Sequence, residues 1–224
     1  MILVIGQNPG TNHPRMLTAL RDAKRAGASI VSINPLMETG MVRFKHPQNP
    51  LEVLGTGNSI ADRHIRVKVN GDQALFRGLA KIIIPLLEEQ PQFIKDHTHG
   101  FDQYRDSVAN TSWSEIVSQS GVERSEIKKL GTLMSRADSI ICCWAMGLTQ
   151  HKNSVATIQE ITNLPSVKAA WGEVLGFAQF IKIVDGETVL ISNGFAPTFG
   201  AAWDSNPCLL YTSDSADEGL GVDL

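Results

Sequence analysis

The chain is sparing with cysteine, with net charge and with long apolar runs. Cysteine occurs three times in 224 residues, and two of the three are neighbours. That count excludes a disulfide framework, and no CxxC pair marks a thiol-built metal or redox centre. Such thrift favours a reducing, intracellular setting, with the cytoplasm as the expected compartment. A formal net charge of −3 argues against nucleic acid or an anionic membrane as the main partner. No apolar run approaches the roughly 20 residues of a membrane helix, so no membrane insertion is expected. No charged-then-apolar leader opens the chain, because Met1 goes straight into "ILVIG". A chain that begins inside a strand leaves open both an earlier segment and a targeting signal in it. There is no internal repeat.

What is present alternates strand with helix. "MILVIG" is a short β-branched run that reads as a buried parallel strand. Pro14 suits the first turn of a helix. Leu17, Leu20, Ala23 and Ala26 then form an apolar stripe, while Arg21, Lys24 and Arg25 face water. Gly27 closes that helix and "ASIVSIN" is a second strand, which makes a βαβ unit. A long loop-like connection, "PLMETGMVRFKHPQNPLEVLGTGNS", follows. "HIRVKV" is a third strand, and "NGDQAL" turns it into a helix carrying Leu75, Leu79, Ile82, Ile83, Leu86 and Leu87. Pro85 should kink that helix or end it. Past a polar loop come helices at "WSEIV" and "ERSEIKKLGTLMSRA", a buried strand at "SIICCWAMG" and a helix at "NSVATIQEITNL".

The fold class is therefore α/β, a parallel, Rossmann-like sheet with helices on both faces, over residues 1–164. Beyond Leu164 the texture changes. "PSVKAAWGEVLG" does not continue the alternation, and "FAQFIKIVDGETVLISNG" is a hairpin joined at Asp185-Gly186. Residues 165–207 form a β-rich segment of uncertain origin. Residues 208–224, from Cys208 to Leu224, look like the conceptual translation of a sequencing-library adapter and are set aside from fold and function.

Three strand ends carry loop chemistry. "GQNPGTNH" runs from the first strand into a helix, where free N–H groups favour a phosphate. Gly6 and Gly10 allow tight turns and close approach, and Asn8, Thr11 and Asn12 supply side-chain donors. The GxGxxG fingerprint of nicotinamide dinucleotide binding is missing, and Asn34 stands where an acidic residue would hold a ribose diol. A nicotinamide-dependent dehydrogenase is thereby disfavoured. The ligand class is a nucleotide or another phosphate bearer; alternatively, the loop only caps a helix. Asp72, just before a helix, is an N-cap or a carboxylate that accepts two N–H bonds from a guanine edge. The strand end "WAMGLTQHKN" offers Gly147, Thr149 and Gln150, or a cap at Asn153 or Ser154.

Four segments carry a resemblance: "IGQNPGTNHPRMLTALRDAKRAGASIVSINP", "IADRHIRVKVNGDQALFRGLAK", "HTHGFDQYR" and "CCWAMGLTQHKNSVATIQEI". In order and spacing, from about Ile2 to Leu164, they resemble the molybdopterin oxidoreductase family, in its formate-dehydrogenase-like branch. The resemblance implies a fragment of an enzyme that carries molybdenum in bis(molybdopterin guanine dinucleotide). Carried over by position, Asn8, Thr11 and Asn12 hold phosphate or ribose of one guanine dinucleotide. Asn34 and Pro35 flank its nucleoside, and Asp72 reads the guanine. Met146, Gly147, Thr149 and Gln150 contact the cofactor near its pterin end. Asn34 departs from the Asp of many relatives.

The family's metal ligand (Cys, selenocysteine or Ser) and any iron–sulfur cysteines precede the "GQNPGTNHP" loop, so neither catalytic nor metal-binding residues are assigned in this chain. Cys142 and Cys143 point to opposite faces of a strand and are small core residues. His13 fixes the opening loop, His97 and His99 sit on a solvated loop, and His151 flanks the cofactor loop. The whole enzyme is expected to carry out two-electron redox on a small molecule such as formate, with a redox partner, while this fragment alone is inactive. The alternative is a freestanding nucleotide-binding or regulatory module without redox activity.

Overall fold

The structure, a computed structural model, describes residues 1–48, 50–86, 100–137, 140–167, 172–176, 179–184 and 187–192, and from residue 165 onward it describes only the backbone. Strand β1 (Ile2–Ile5) leads through a short helix α1 (Pro9–Asn12) into α2 (Pro14–Arg25) and back to β2 (Ile30–Ile33). Two short helices, α3 (Thr39–Val42) and α4 (Pro50–Leu54), lie in the connection to β3 (Arg63–Ile65). Then follow α5 (Asp72–Ile83), a 3₁₀ turn at Ile84–Leu86, α6 (Phe101–Asn110), α7 (Trp113–Ser120) and α8 (Arg124–Arg136). Strand β4 (Ile140–Trp144), α9 (Met146–Thr149) and α10 (Ser154–Val167) precede β5 (Gly172–Gly176), β6 (Gln179–Val184) and β7 (Glu187–Ser192).

The strands lie in the order β3-β2-β1-β4-β5-β6-β7. Every pairing from β3 to β5 is parallel, while β5–β6 and β6–β7 are antiparallel. The first five strands thus follow the doubly wound order of nucleotide-binding sheets, with the reversal between β1 and β4. The α/β class is borne out.

Each face of the sheet has its own core, because side chains alternate along a strand. Ile2, Val4, Ile30 and Cys143 pack with Leu17 and Leu20 of α2, together with Met41 and Ile60. Leu3, Ile5, Val31 and Cys142 face the other way, onto Leu75, Phe76 and Leu79 of α5 and onto Ile116, Ile127 and Ile161. Gly78 and Gly131 let the helices of that layer close up: a Cβ on Gly78 would stand 2.9 Å from Ile116, and one on Gly131 2.9 Å from Ile82. Pro14 opens α2, as its missing N–H permits. Gly121, at φ +72°, ends α7.

Several local expectations are corrected. The alternation does run on past Leu164, since β5 pairs in parallel with β4 after α10; its only flags are a Gly at each end, not an apolar run. The β6–β7 pairing is a hairpin's, though Asp185 and Gly186 lie outside the described residues. Strand β3 stops at Ile65 rather than Val69, and Val69 is exposed. Helix α5 ends at Ile83 and leaves Leu86 exposed in the 3₁₀ turn, as Pro85 demands. The stretch expected to be a polar loop holds α6.

The α2 cations do not simply face water: Arg25 stays exposed, but all three are ion-paired. Arg21 and Arg25 pair with Glu52 at 3.1 and 2.7 Å, and Lys24 pairs with Asp62 at 2.8 Å. The long connection folds back over this helix, a contact no periodicity reveals. His97, His99 and Cys208–Leu224 lie outside the described residues.

Candidate functional site

The carboxyl ends of β1 to β4 bring the sequence-proposed residues to one edge of the sheet. At β1, Gly6 takes φ +56°, the left-handed conformation that glycine adopts freely. Its N–H donates to the Ile33 carbonyl at 2.9 Å. Gln7 is buried, and its Oε1 finds no partner. Asn8 caps α1, accepting the Thr11 N–H on Oδ1 at 3.2 Å. Its Nδ2 donates to Glu38 Oε2 at 2.5 Å. Thr11 and Asn12 are exposed on α1. His13 sits at the start of α2, where burial pulls its pKa down.

At β2, the half-buried Asn34 donates from Nδ2 to the Gln7 carbonyl (3.3 Å) and to Glu38 Oε1 (3.4 Å). Pro35 follows, half-buried. Glu38 thereby ties the β1 and β2 loops together. The loops come this close because Gly10 and Gly40 touch: a Cβ on Gly40 would stand 3.0 Å from Gly10 Cα. Gly10 therefore serves contact between two loops. Neither Gln7 nor Glu38 was singled out from sequence. The buried polar group beside Gly6 and the carboxylate four residues past Asn34 were the signals available.

At β3, a turn with Asn70 at φ +64° leads into α5. The turn is pressed against Ser120, whose carbonyl accepts the Lys68 N–H at 2.8 Å. Gly71 is the N-cap of α5 and Asp72 its first residue, and no side chain caps this end. The capping role considered for Asp72 is therefore not what the geometry shows. Asp72 is 2% exposed, and its Oδ1 has no partner. Burial raises its pKa to about 6, with its own backbone N–H acting in the opposite sense.

At β4, Met146 (52% exposed), Gly147 and Thr149 belong to α9, and Gln150 ends it, exposed. Gly147 rests on Gly6. His151 has a buried Nδ1 without a partner. Cys142 and Cys143 are buried thiols on opposite faces; burial raises both pKa values, that of Cys143 to about 12, so neither is a nucleophile at neutral pH. Among the described residues no cluster of three or more His, Cys, Asp or Glu could hold a metal ion. None of their helices is long and apolar enough to cross a membrane.

An open cleft of about 970 Å³ lies between α2 and residues 38–48, with Asn8, Thr11, Arg15, Glu38, Arg43 and His46 in its lining. It takes in two of the proposed residues, Asn8 and Thr11. Asn12, Asn34, Pro35, Asp72 and the Met146–Gln150 group stand outside it.

No protein-family profile matches the chain. A Mycobacterium tuberculosis protein named as an uncharacterized oxidoreductase is 39% identical over 179 residues, 77% of this chain and 23% of that protein. Formate dehydrogenase H of Escherichia coli is 28% identical over 174 residues, again 77% of this chain and 22% of the enzyme. The chain thus spans about a quarter of the length of the curated relatives it matches. Acetylene hydratase from Pelobacter acetylenicus shares the fold, with a TM-score of 0.63 at 19% identity over 76% of this chain and 21% of that one. The likeness to formate-dehydrogenase-like oxidoreductases read from the four sequence segments is borne out.

Proposed function

From a chain related over three quarters of its length to a segment of formate-dehydrogenase-like oxidoreductases, we propose that this segment cradles one guanine dinucleotide of a bis(molybdopterin guanine dinucleotide) cofactor. The single observation carrying the reading is Asp72. A buried carboxylate oxygen without a hydrogen-bond partner costs about 1–3 kcal/mol or more, and folded proteins keep such groups where a ligand completes them. The N1–H and N2–H donors of guanine suit a carboxylate, and the pKa near 6 leaves Asp72 ionised at neutral pH to receive them.

The other residues take roles on the same edge. Thr11 and Asn12, exposed on α1, offer donors to phosphate or ribose, and Asn8 braces the loop that presents them. Asn34 and Pro35 flank the nucleoside. Met146, Gly147, Thr149 and Gln150 contact the pterin end, with Gly147 carrying no side chain because Gly6 leaves no room for one. The bound group supplies two-electron redox chemistry at molybdenum. The chain's own work is to bind and orient it. The whole enzyme acts on a small substrate such as formate, passes electrons to a redox partner and works in the cytoplasm.

The test is cofactor content. The full-length protein carrying Asp72→Ala, purified from its own cells, should hold several-fold less molybdenum and less guanine nucleotide than the parent. Unchanged contents of both would remove the guanine role.

A further inference from the structure

Helix α4 carries its polarity the wrong way round. Its sequence is PLEVL, and its one charged residue, Glu52, turns inward with a side chain only 9% exposed. There Glu52 pairs with Arg21 at 3.1 Å and with Arg25 at 2.7 Å, both from α2. Leu51 and Leu54 stand three positions apart and so share one face of the helix. They are 83% and 86% exposed, and Val53, next to Leu54, is 44% exposed. A helix that bounds a free surface sets its charges outward and its leucines inward. A single exposed leucine is ordinary; two on one face of a helix whose only charge is turned into the fold are not.

The excursion that bears α4 is tied down at several points. At its base Phe44 and Asn58 exchange two backbone hydrogen bonds, both of 2.8 Å. Lys45 Nζ donates to the Val53 carbonyl at 2.9 Å, which satisfies one of the acceptors that a helix end leaves over. The His46 N–H donates to Glu52 Oε2 at 3.4 Å, and the two ion pairs of Glu52 bind α4 to α2. The leucines are thus held in place before anything meets them, which lowers the ordering cost of binding.

We propose that α4 is a docking knob whose Leu51 and Leu54 seat in an apolar groove on another segment of the full-length polypeptide, outside this chain. The chain spans about a quarter of the length of the relatives it matches, so a protein of their length has about three quarters of its polypeptide beyond it. A second copy is the poorer occupant. A free-standing interface takes roughly 800 Å² from each partner, and two leucines with part of a valine offer well under that. Within one polypeptide the tether supplies the effective concentration, so a small apolar contact suffices. A charged partner finds no counter-charge on α4, since Glu52 already holds two guanidiniums. The proposal rests on the reading of this chain as a segment of a longer oxidoreductase and is independent of the guanine role of Asp72.

The test is maleimide labelling of Leu54→Cys in the full-length protein, read at that one peptide by mass spectrometry so that other thiols do not count. The native protein should label about tenfold more slowly, or slower still, than the same protein unfolded in urea. The 224-residue chain with the same substitution should label within about threefold of the unfolded rate, as the 86% exposure of Leu54 requires. Native full-length protein that labels as fast as this chain overturns the proposal. Slow labelling of the 224-residue chain also overturns it, by placing the cover inside this chain. Protection in the full-length protein that is lost on dilution overturns it too, because the occupant is then a second copy or a separate subunit. Each of these outcomes leaves the cradle reading intact, since molybdenum and guanine content report on that separately.

Discussion

Gly6 and Gly147 meet backbone to backbone across the ends of β1 and β4: a Cβ on Gly147 would lie 2.2 Å from the Gly6 carbonyl oxygen. These two strands mark the point where the sheet order reverses. The contact welds the opening loop to the loop after β4, so both present their polar groups from one rigid edge. A backbone oxygen cannot swing aside as a flexible side chain can.

Gly147→Ala should therefore cost about 3 kcal/mol, the upper end of the usual range of overpacking, because the atoms it meets are backbone. Gly27 is the control. It has φ +98° and nothing within 4 Å of an added Cβ, so Gly27→Ala should cost only about 1 kcal/mol of backbone strain. Urea unfolding of the two variants separates the effects. Equal losses would mean that the Gly6 contact does not hold the loops together.

Glu160 makes the second prediction. It is 4% exposed and accepts from Arg77 Nε and Nη2 on one oxygen, at 2.8 and 2.6 Å, and from Tyr104 Oη on the other, at 2.8 Å. The network ties α5, α6 and α10 together beneath the sheet. Glu160→Ala strands the Arg77 charge, which is 27% exposed, so the loss should be about 2–3 kcal/mol rather than the larger cost of a fully buried break. Tyr104→Phe should cost about 1–2 kcal/mol. In the double variant the losses should fall short of their sum, because both act on one carboxylate. Strict additivity in chemical denaturation would dissolve the network.

What was legible in the sequence follows from where periodicity exists. β1 and β4 are continuous apolar runs, and β2 is one but for Ser32, because both faces of a parallel sheet are covered, and Pro14 and Gly121 punctuate helices by their own backbone chemistry. Asp72 was legible as a carboxylate at a helix start, though not as a buried one. Glu38, Gln7 and the Arg21–Glu52 pair were not legible. Gln7 and Glu38 lie in loops and Glu52 in a short helix within the long connection, and their partners lie about 30 positions away in three of the contacts (Asn8–Glu38, Arg21–Glu52, Asn34–Gln7). An irregular connection has no repeat that shows which side chains it folds onto. Strand β5 escaped for a related reason: five residues flanked by glycines carry too little pattern to be told from a loop.

Asp72 yields a pH dependence whose sign is opposite to that of a salt-bridged carboxylate. Burial raises its pKa from 3.8 to about 6 in the folded chain, while the unfolded chain keeps an ordinary value. Between pH 3.8 and about 6, the folded state binds more protons, so stability falls as pH rises through that window. The stabilisation present at lower pH, about 3 kcal/mol at most, is gone by neutrality. Asp72→Asn removes the titration. Relative to the parent it should be more stable at pH 7 by about 2–3 kcal/mol, with the difference vanishing near pH 4. Urea unfolding of both proteins from pH 4 to 7 checks this, and the parent-minus-variant difference cancels every other titrating group. Parallel curves would mean that the carboxylate is not desolvated. Ligand binding should run the other way, since only the ionised carboxylate accepts both guanine N–H groups. GDP affinity should decline below about pH 6 in the parent chain, and Asp72→Asn should bind GDP weakly at every pH. A group that lowers the stability of the empty fold at the pH where it holds its ligand is what a binding residue, unlike a structural one, is expected to be.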